Sequence, residues 1–447
     1  MTGMTIEKAL KACGGRYCGE GELSSELGRV VIDSREVLPG DLFVAYKGER
    51  VDGHDYISAA FDKGAVCCLA ERVPEEERRG VIVTDDVQSA LEDIAAAYRD
   101  TLRLPIVGIT GSVGKTSAKE MISAVLSSRW KVCKTDKNLN NQIGVPMTLS
   151  RITPADEVAV VEMGISGFGE MSRLGRMVRP QIAVYTLIGH AHLEFLHDLD
   201  GVLRAKTEMI DYLPEDGLVI MNGDDEKLRG FDCPRRRIFV GLGKDCNVRA
   251  EDVVSSEEGT ECTIVSAERS FRVRIPAFGR HLVYAALEAA AVGMEMGLSD
   301  EEIVRGIADF AIVGRRAAVL RTDRITLLDD CYNSNAEALR SGIDSLLQLP
   351  GRHVCILGDM LELGDTAWDA HFNGGAYAAA KGVARLLCCG EHAAAYCAGA
   401  GAIARRFSDR DALIAALDEE IRAGDCVLVK ASRGAHFESV SEALKVL

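Results

Sequence analysis

At 447 residues the chain exceeds one ordinary core, and usual domain sizes suggest about three domains. Hydrophobic residues make up 47% and charged residues 27%, the profile of a globular chain and not of a disordered or membrane-embedded one. Acidic residues outnumber basic ones 68 to 52 with no Lys/Arg-rich run, which argues against nucleic acid or an anionic membrane surface as partner.

The first residues, MTGMTIEKALKACGG, lack the charged start, apolar stretch and small-residue cleavage site of a signal peptide. No apolar run reaches the roughly 18 residues that span a bilayer, so no membrane insertion and a cytoplasmic location are expected. The 14 cysteines show neither CxxC pairs nor zinc-ligand spacing and sit mostly in apolar runs, as reduced core thiols would.

Short apolar runs alternate with amphipathic stretches from the first hundred residues onward, the signature of α/β layers around parallel sheets. Residues 105–110, 158–163 and 182–186 read as buried strands of one sheet. Residues 247–276 alternate apolar and charged side chains, as an antiparallel excursion would, and a helical run follows over 280–296. Residues 325–330, 354–357, 385–389 and 426–429 predict a second parallel sheet. The expected domains are 1–102, 103–313 and 314–447, the last a doubly wound parallel-sheet unit.

The strongest local signal is GITGSVGKTS over residues 108–117, directly after a predicted strand and before a helical pattern. In a P-loop, Gly111, Ser112, Val113 and Gly114 turn backbone N–H groups toward phosphate oxygens, and Ser117 lies at the helix N-terminus. Lys115 neutralises phosphate charge, and the Thr116 hydroxyl can ligate Mg²⁺. The spacing departs from G-x-x-x-x-G-K-[ST], because Ile109 stands where the first glycine would be. ATP binding follows.

Glu162 ends the apolar run VAVVE, which places a carboxylate at the sheet edge beside the P-loop, suited to a nucleotide-bound Mg²⁺. His192 follows another strand, but a lone histidine is as readily a packed or surface residue. Lys206 reads locally as an ordinary solvated lysine, and Cys331 as a core thiol.

Taken together, the shifted P-loop, the EMG strand end at 162–164, the AHLE segment at 191–194 and the AKTE segment at 205–208 resemble the Mur ligases, over essentially the whole chain. The resemblance implies a three-domain α/β architecture with a central P-loop ATPase domain and an N-terminal UDP-substrate domain carrying Ser34 and Arg35. Of the family's branches, DDCYNSN at 329–335 and LGDMLELG at 357–364 look like the one that adds D-alanyl-D-alanine to a UDP-N-acetylmuramoyl-tripeptide. The implied chemistry is ATP-dependent amide ligation through an acyl phosphate.

By the same resemblance two Mg²⁺ ions are expected, one at Thr116 and Glu162, the other at Glu162, His192 and a carbamylated Lys206. Asn138, Asn140 and Asn141 would face the uridine-linked substrate. Arg315, Asp330 and Asn333 would meet the nucleotide, and Tyr332, Asn335, Lys430, Ser432 and Arg433 the peptide substrates on domain closure. A monomer is expected. Leu282 and Ala285 stand where the family's G-x-H-N-x-x-N pattern has asparagines near the adenine, and Leu187, Thr207 and Ala336 replace a usual asparagine, glycine and proline. Base recognition should therefore differ. A folylpolyglutamate synthase-like enzyme would lack the domain ahead of the P-loop. A non-catalytic ATP-binding paralogue is favoured only by the lost asparagines.

Overall fold

The computed structural model describes residues 1–48, 51–256, 258–312, 314 and 318–447. Residue 313, the last of the expected central domain, and the site candidate Arg315 fall outside that description.

Near the N-terminus a five-stranded sheet runs in the order Arg16–Cys18, Val81–Val83, Cys67–Ala70, Leu42–Val44, Val30–Val31. Its first pair is antiparallel and the others parallel. Helix Val87–Thr101 begins where the Asp86 carboxylate accepts from the backbone N–H groups of Gln88 and Ser89. Its buried face then leads into the central sheet, with Arg99 donating to the carbonyl of Val178 at 2.7 Å.

The central sheet has nine strands. Its parallel part includes, side by side, Leu218–Asn222, Ile182–Tyr185, Ile106–Thr110, Val158–Glu162 and Val132–Lys134. The first four of these are buried along their length because both faces are covered, whereas the edge strand Val132–Lys134 is only half-buried and ends on exposed Lys134. Val107 and Ile109 pack with Ala118, Met121, Ile122 and Val125 of helix Lys115–Leu126, while Ile106 joins Met171 and Leu174 on the opposite face. The excursion expected over 247–276 is an antiparallel meander, Val248–Ser256, Gly259–Val265 and Ser270–Ile275, which extends the same sheet at its far edge.

A six-stranded sheet closes the chain in the order Ala318–Arg321, Thr326–Asp329, Asp425–Lys430, Arg352–Leu357, Arg385–Cys389, Ala404–Phe407. Only the first pair is antiparallel. Leu328, Leu357 and Leu428 point to one face, and Leu327, Ile356 and Val429 to the other, each face covered by helices. This is the doubly wound arrangement expected. All 14 cysteines are free thiols, and Cys331 is fully buried. Among the described residues no helix is long and apolar enough to cross a membrane.

Ligands of parallel sheets bind at the carboxyl ends of the strands. Here the carboxyl ends of the central and C-terminal sheets supply the walls of one shared cavity of about 810 Å³.

Candidate active site

The cavity floor is the turn after Ile106–Thr110. Gly111 has φ 148°, and a Cβ there would lie 2.0 Å from Thr186 Oγ1, so only glycine fits this close approach. Gly114, at φ 91°, opens helix Lys115–Leu126, whose first N–H groups have no helical partner and form an anion site. The turn is braced from the neighbouring strand: Ser112 donates its N–H to the Leu187 carbonyl at 2.7 Å and its hydroxyl to the Gly189 carbonyl at 3.0 Å. Lys115 Nζ folds back to donate to the Gly111 carbonyl at 2.7 Å, at the mouth of the loop. Ser117 and Val113 also line the cavity.

Beside this floor stands Glu162, 1% exposed at the end of its strand. The Thr116 hydroxyl donates to its carboxylate at 3.0 Å, and Asn140 Nδ2 donates to Oε1 at 2.8 Å. A buried carboxylate and a hydroxyl in contact offer hard oxygen donors, the chemistry Mg²⁺ takes, so the residues fit that ion. Asn138 and Asn141 extend the same wall, with Asn141 Oδ1 already accepting from Gly144 N–H at 2.9 Å.

His192 lies in the loop after Ile182–Tyr185 with a left-handed backbone, φ 56°. Its Nδ1 is hydrogen-bonded to the carboxylate of Glu362, from the loop after Arg352–Leu357, and this holds Glu362 below the ordinary carboxylate range. His190 makes a parallel connection, its backbone N–H donating to Glu337 at 3.0 Å and its ring bonded to the same carboxylate. Lys206 does not line the cavity. It is 1% exposed on helix Leu199–Thr207, and burial, reinforced by the nearby charge of Lys115, pushes its amine well below the ordinary lysine value.

The opposite wall comes from the C-terminal sheet. Lys430 Nζ donates to the Asp330 carboxylate and, at 3.1 Å, to the Asn333 carbonyl. Arg433 stacks over the Tyr332 ring, 5.5 Å from its centroid. Asn335 spends its Oδ1 as the N-cap of helix Ala336–Leu346, accepting from Ala338 N–H at 2.9 Å, and Ser432 spends its hydroxyl bridging Leu361 N–H and the Ser334 carbonyl. These two therefore shape the wall as well as line it.

The chain matches the Mur ligase middle domain over residues 109–293, the Mur ligase glutamate ligase domain over 315–433, and the catalytic domain of the Mur ligase family over 26–105. It is 36% identical over 422 residues to the UDP-N-acetylmuramoyl-tripeptide--D-alanyl-D-alanine ligase of Bacillus subtilis, covering 92% of each chain. The chain belongs to the Mur ligase family. The Escherichia coli ligase of the same name is likewise 36% identical, with 94% of each chain covered. Among solved structures, MurF from Acinetobacter baumannii superposes with a TM-score of 0.90 at 28% identity over 99% of both chains. MurF from Thermotoga maritima in complex with ADP gives 0.83 at 27% identity, over 94% of this chain and 97% of that one.

Within this Mur ligase the cavity gathers the P-loop, Glu162, His192, the three asparagines and the C-terminal set. It does not gather Ser34 and Arg35. These lie in the turn Ser34–Glu36, where exposed Arg35 pairs with Asp33 at 2.6 Å and holds that carboxyl at about 2. Glu337, Glu362, His281 and Glu288 line the cavity without having been singled out in the sequence. For Glu288 a signal existed: it is the one acidic or basic residue in the apolar run LVYAALEAAAVG.

Proposed function

We propose that this Mur ligase joins D-alanyl-D-alanine to UDP-N-acetylmuramoyl-tripeptide, consuming ATP in peptidoglycan precursor synthesis. The observation that carries the reading is that a P-loop with an adjacent buried carboxylate shares one cavity with the 329–335 and 357–364 segments. The work divides among units 1–102, 103–313 and 314–447: UDP-substrate binding, ATP chemistry and acceptor binding.

The P-loop N–H groups and Lys115 hold the β- and γ-phosphates, fixing the γ-phosphorus for in-line attack. Asn138, Asn140 and Asn141 orient the tripeptide so that its terminal carboxylate oxygen reaches that phosphorus. The P–O bond to ADP breaks as the carboxylate–phosphorus bond forms, giving an acyl phosphate. The dipeptide amine, placed by Tyr332 and Arg433, then attacks the acyl carbon, loses a proton, and the tetrahedral intermediate expels phosphate. Ser34 and Arg35 serve the uridine-linked end, and Arg315, Asp330 and Asn333 the nucleotide.

Thr116 and Glu162 would hold one Mg²⁺, and Glu162, His192 and Lys206 a second, supplying charge neutralisation where phosphate and carboxylate meet. The buried Lys206 amine supports a carbamate there, since only a neutral amine adds CO₂, and burial favours the neutral form. The added group is anionic and answers the charge of Lys115.

Phosphate release measured with each substrate omitted in turn tests the reading. Release should require both the tripeptide and the dipeptide; equal release without the dipeptide would refute it.

A further inference from the structure

Taking ATP as the phosphate donor, as above, the strand order tells which way the nucleotide runs. Glu162 and Asn140 occupy one side of strand Ile106–Thr110, where the γ-phosphate and the substrate acid meet. Strands Ile182–Tyr185 and Leu218–Asn222 lie on the other side, so the nucleoside extends past Asn222 and Asp224 toward helix Leu282–Glu295. That helix and the residue that precedes it present His281, Tyr284, Ala285 and Glu288 to the cavity, positions spaced to share one face. The Tyr284 hydroxyl is taken, donating to Asp224 at 3.0 Å.

Besides His281, whose buried Nδ1 also lacks a hydrogen-bond partner among the described residues, Glu288 stands apart. It is 1% exposed, lines the cavity, and its Oε1 has no hydrogen-bond partner among the described residues. The other buried residues of its helix are Leu, Val, Ala and Gly. One turn before it, Ala285 is too small to stand between its carboxyl and the cavity. A buried polar group left without a partner is a cost that a ligand can relieve.

We infer that Glu288 reads the adenine ring, its carboxyl accepting from the exocyclic amino group and donating to the neighbouring ring nitrogen. A neutral carboxyl offers one donor and one acceptor side by side, the pair that a carboxamide presents when it binds an adenine edge. Burial supports this form, pushing the Glu288 carboxyl up to about 8. The apolar surroundings suit a flat base better than a ribose. A glutamate thus takes over the work of the asparagines this chain lacks at 282 and 285.

The test is steady-state kinetics of the full-length enzyme with ATP, 2′-deoxy-ATP and purine riboside triphosphate, which lacks the 6-amino group. Wild-type kcat/KM should fall about 30-fold or more with purine riboside triphosphate and much less with 2′-deoxy-ATP. Glu288→Leu should raise KM for ATP by about 10-fold to 100-fold, with a smaller effect on kcat, and bring ATP and purine riboside triphosphate to near parity. Glu288→Gln should recover most of the discrimination lost in Glu288→Leu. The inference is overturned if Glu288→Leu keeps the wild-type preference, or if wild type uses purine riboside triphosphate as well as ATP. The wild-type comparison alone decides if Glu288→Leu does not fold. Absence of turnover with every nucleotide would instead refute ATP-dependent ligation itself.

Discussion

His192 and Glu362, 170 residues apart, are hydrogen-bonded across the cavity, and both carry left-handed backbones at φ 56° and 61°. Non-glycine residues hold that conformation at a cost that the surroundings must offset. The Glu194 N–H also donates to the Glu362 carbonyl at 3.3 Å, and His190 bonds Glu337 alongside. Together these contacts clasp the ATP-binding sheet to the sheet that bears Tyr332 and Lys430.

Loss of the clasp should impair assembly of the site more than the fold. Glu362→Ala is expected to lower kcat/KM for D-alanyl-D-alanine about 10-fold, in line with one charge-assisted hydrogen bond, with little change in melting temperature. Steady-state kinetics beside a thermal melt checks this, and an unchanged kcat/KM would remove the clasp from the mechanism.

The phosphate machinery should be less forgiving. Lys115→Ala and Glu162→Ala are each expected to reduce kcat by roughly 10³-fold or more, because the proposed mechanism places both where charge builds up in the transition state. Single-turnover measurement of ADP formation separates this from weakened binding.

For Lys206 the expectation is chemical rescue. Lys206→Ala should lose nearly all activity, and formate or acetate should restore part of it by occupying the space of the proposed carbamate. Full activity without an additive would exclude Lys206 from the site.

Acid stability should depend on a cluster far from the cavity. Arg385 donates to Glu420 at 2.7 and 2.9 Å and Arg405 at 2.6 Å, and these bonds lower the Glu420 carboxyl from 4.5 to about 2. Because the folded value is depressed, the stabilisation is present above the ordinary carboxylate value and is lost as pH falls toward 2. Glu420→Gln should therefore be less stable than wild type at neutral pH, with the gap narrowing as pH falls below about 4.5 and closing only near pH 2. Denaturant unfolding at the two pH values measures it.

How much of this was legible depended on sequence distance. The P-loop and its strand and helix are contiguous, so residues 108–117 declared both their geometry and their ligand. Glu162 could be read from its place at the end of an apolar strand. The pairing of His192 with Glu362 could not, because it depends on how two sheets approach one another. Lys206 had no local mark at all: what distinguishes it is burial within reach of the charge of Lys115, a tertiary property. Asn335 was read as a ligand, and its N-cap role emerges only with the helix it begins. Leu282 and Ala285 were visible as losses, whereas the compensating carboxyl of Glu288 needed the cavity to be seen.

The most direct measurement follows the oxygen. Tripeptide substrate labelled with ¹⁸O in its terminal carboxylate is incubated with ATP, D-alanyl-D-alanine and the enzyme, and the released phosphate is analysed by mass spectrometry. Acyl-phosphate formation requires one labelled oxygen in each phosphate released. Unlabelled phosphate accompanying the amide product would contradict it.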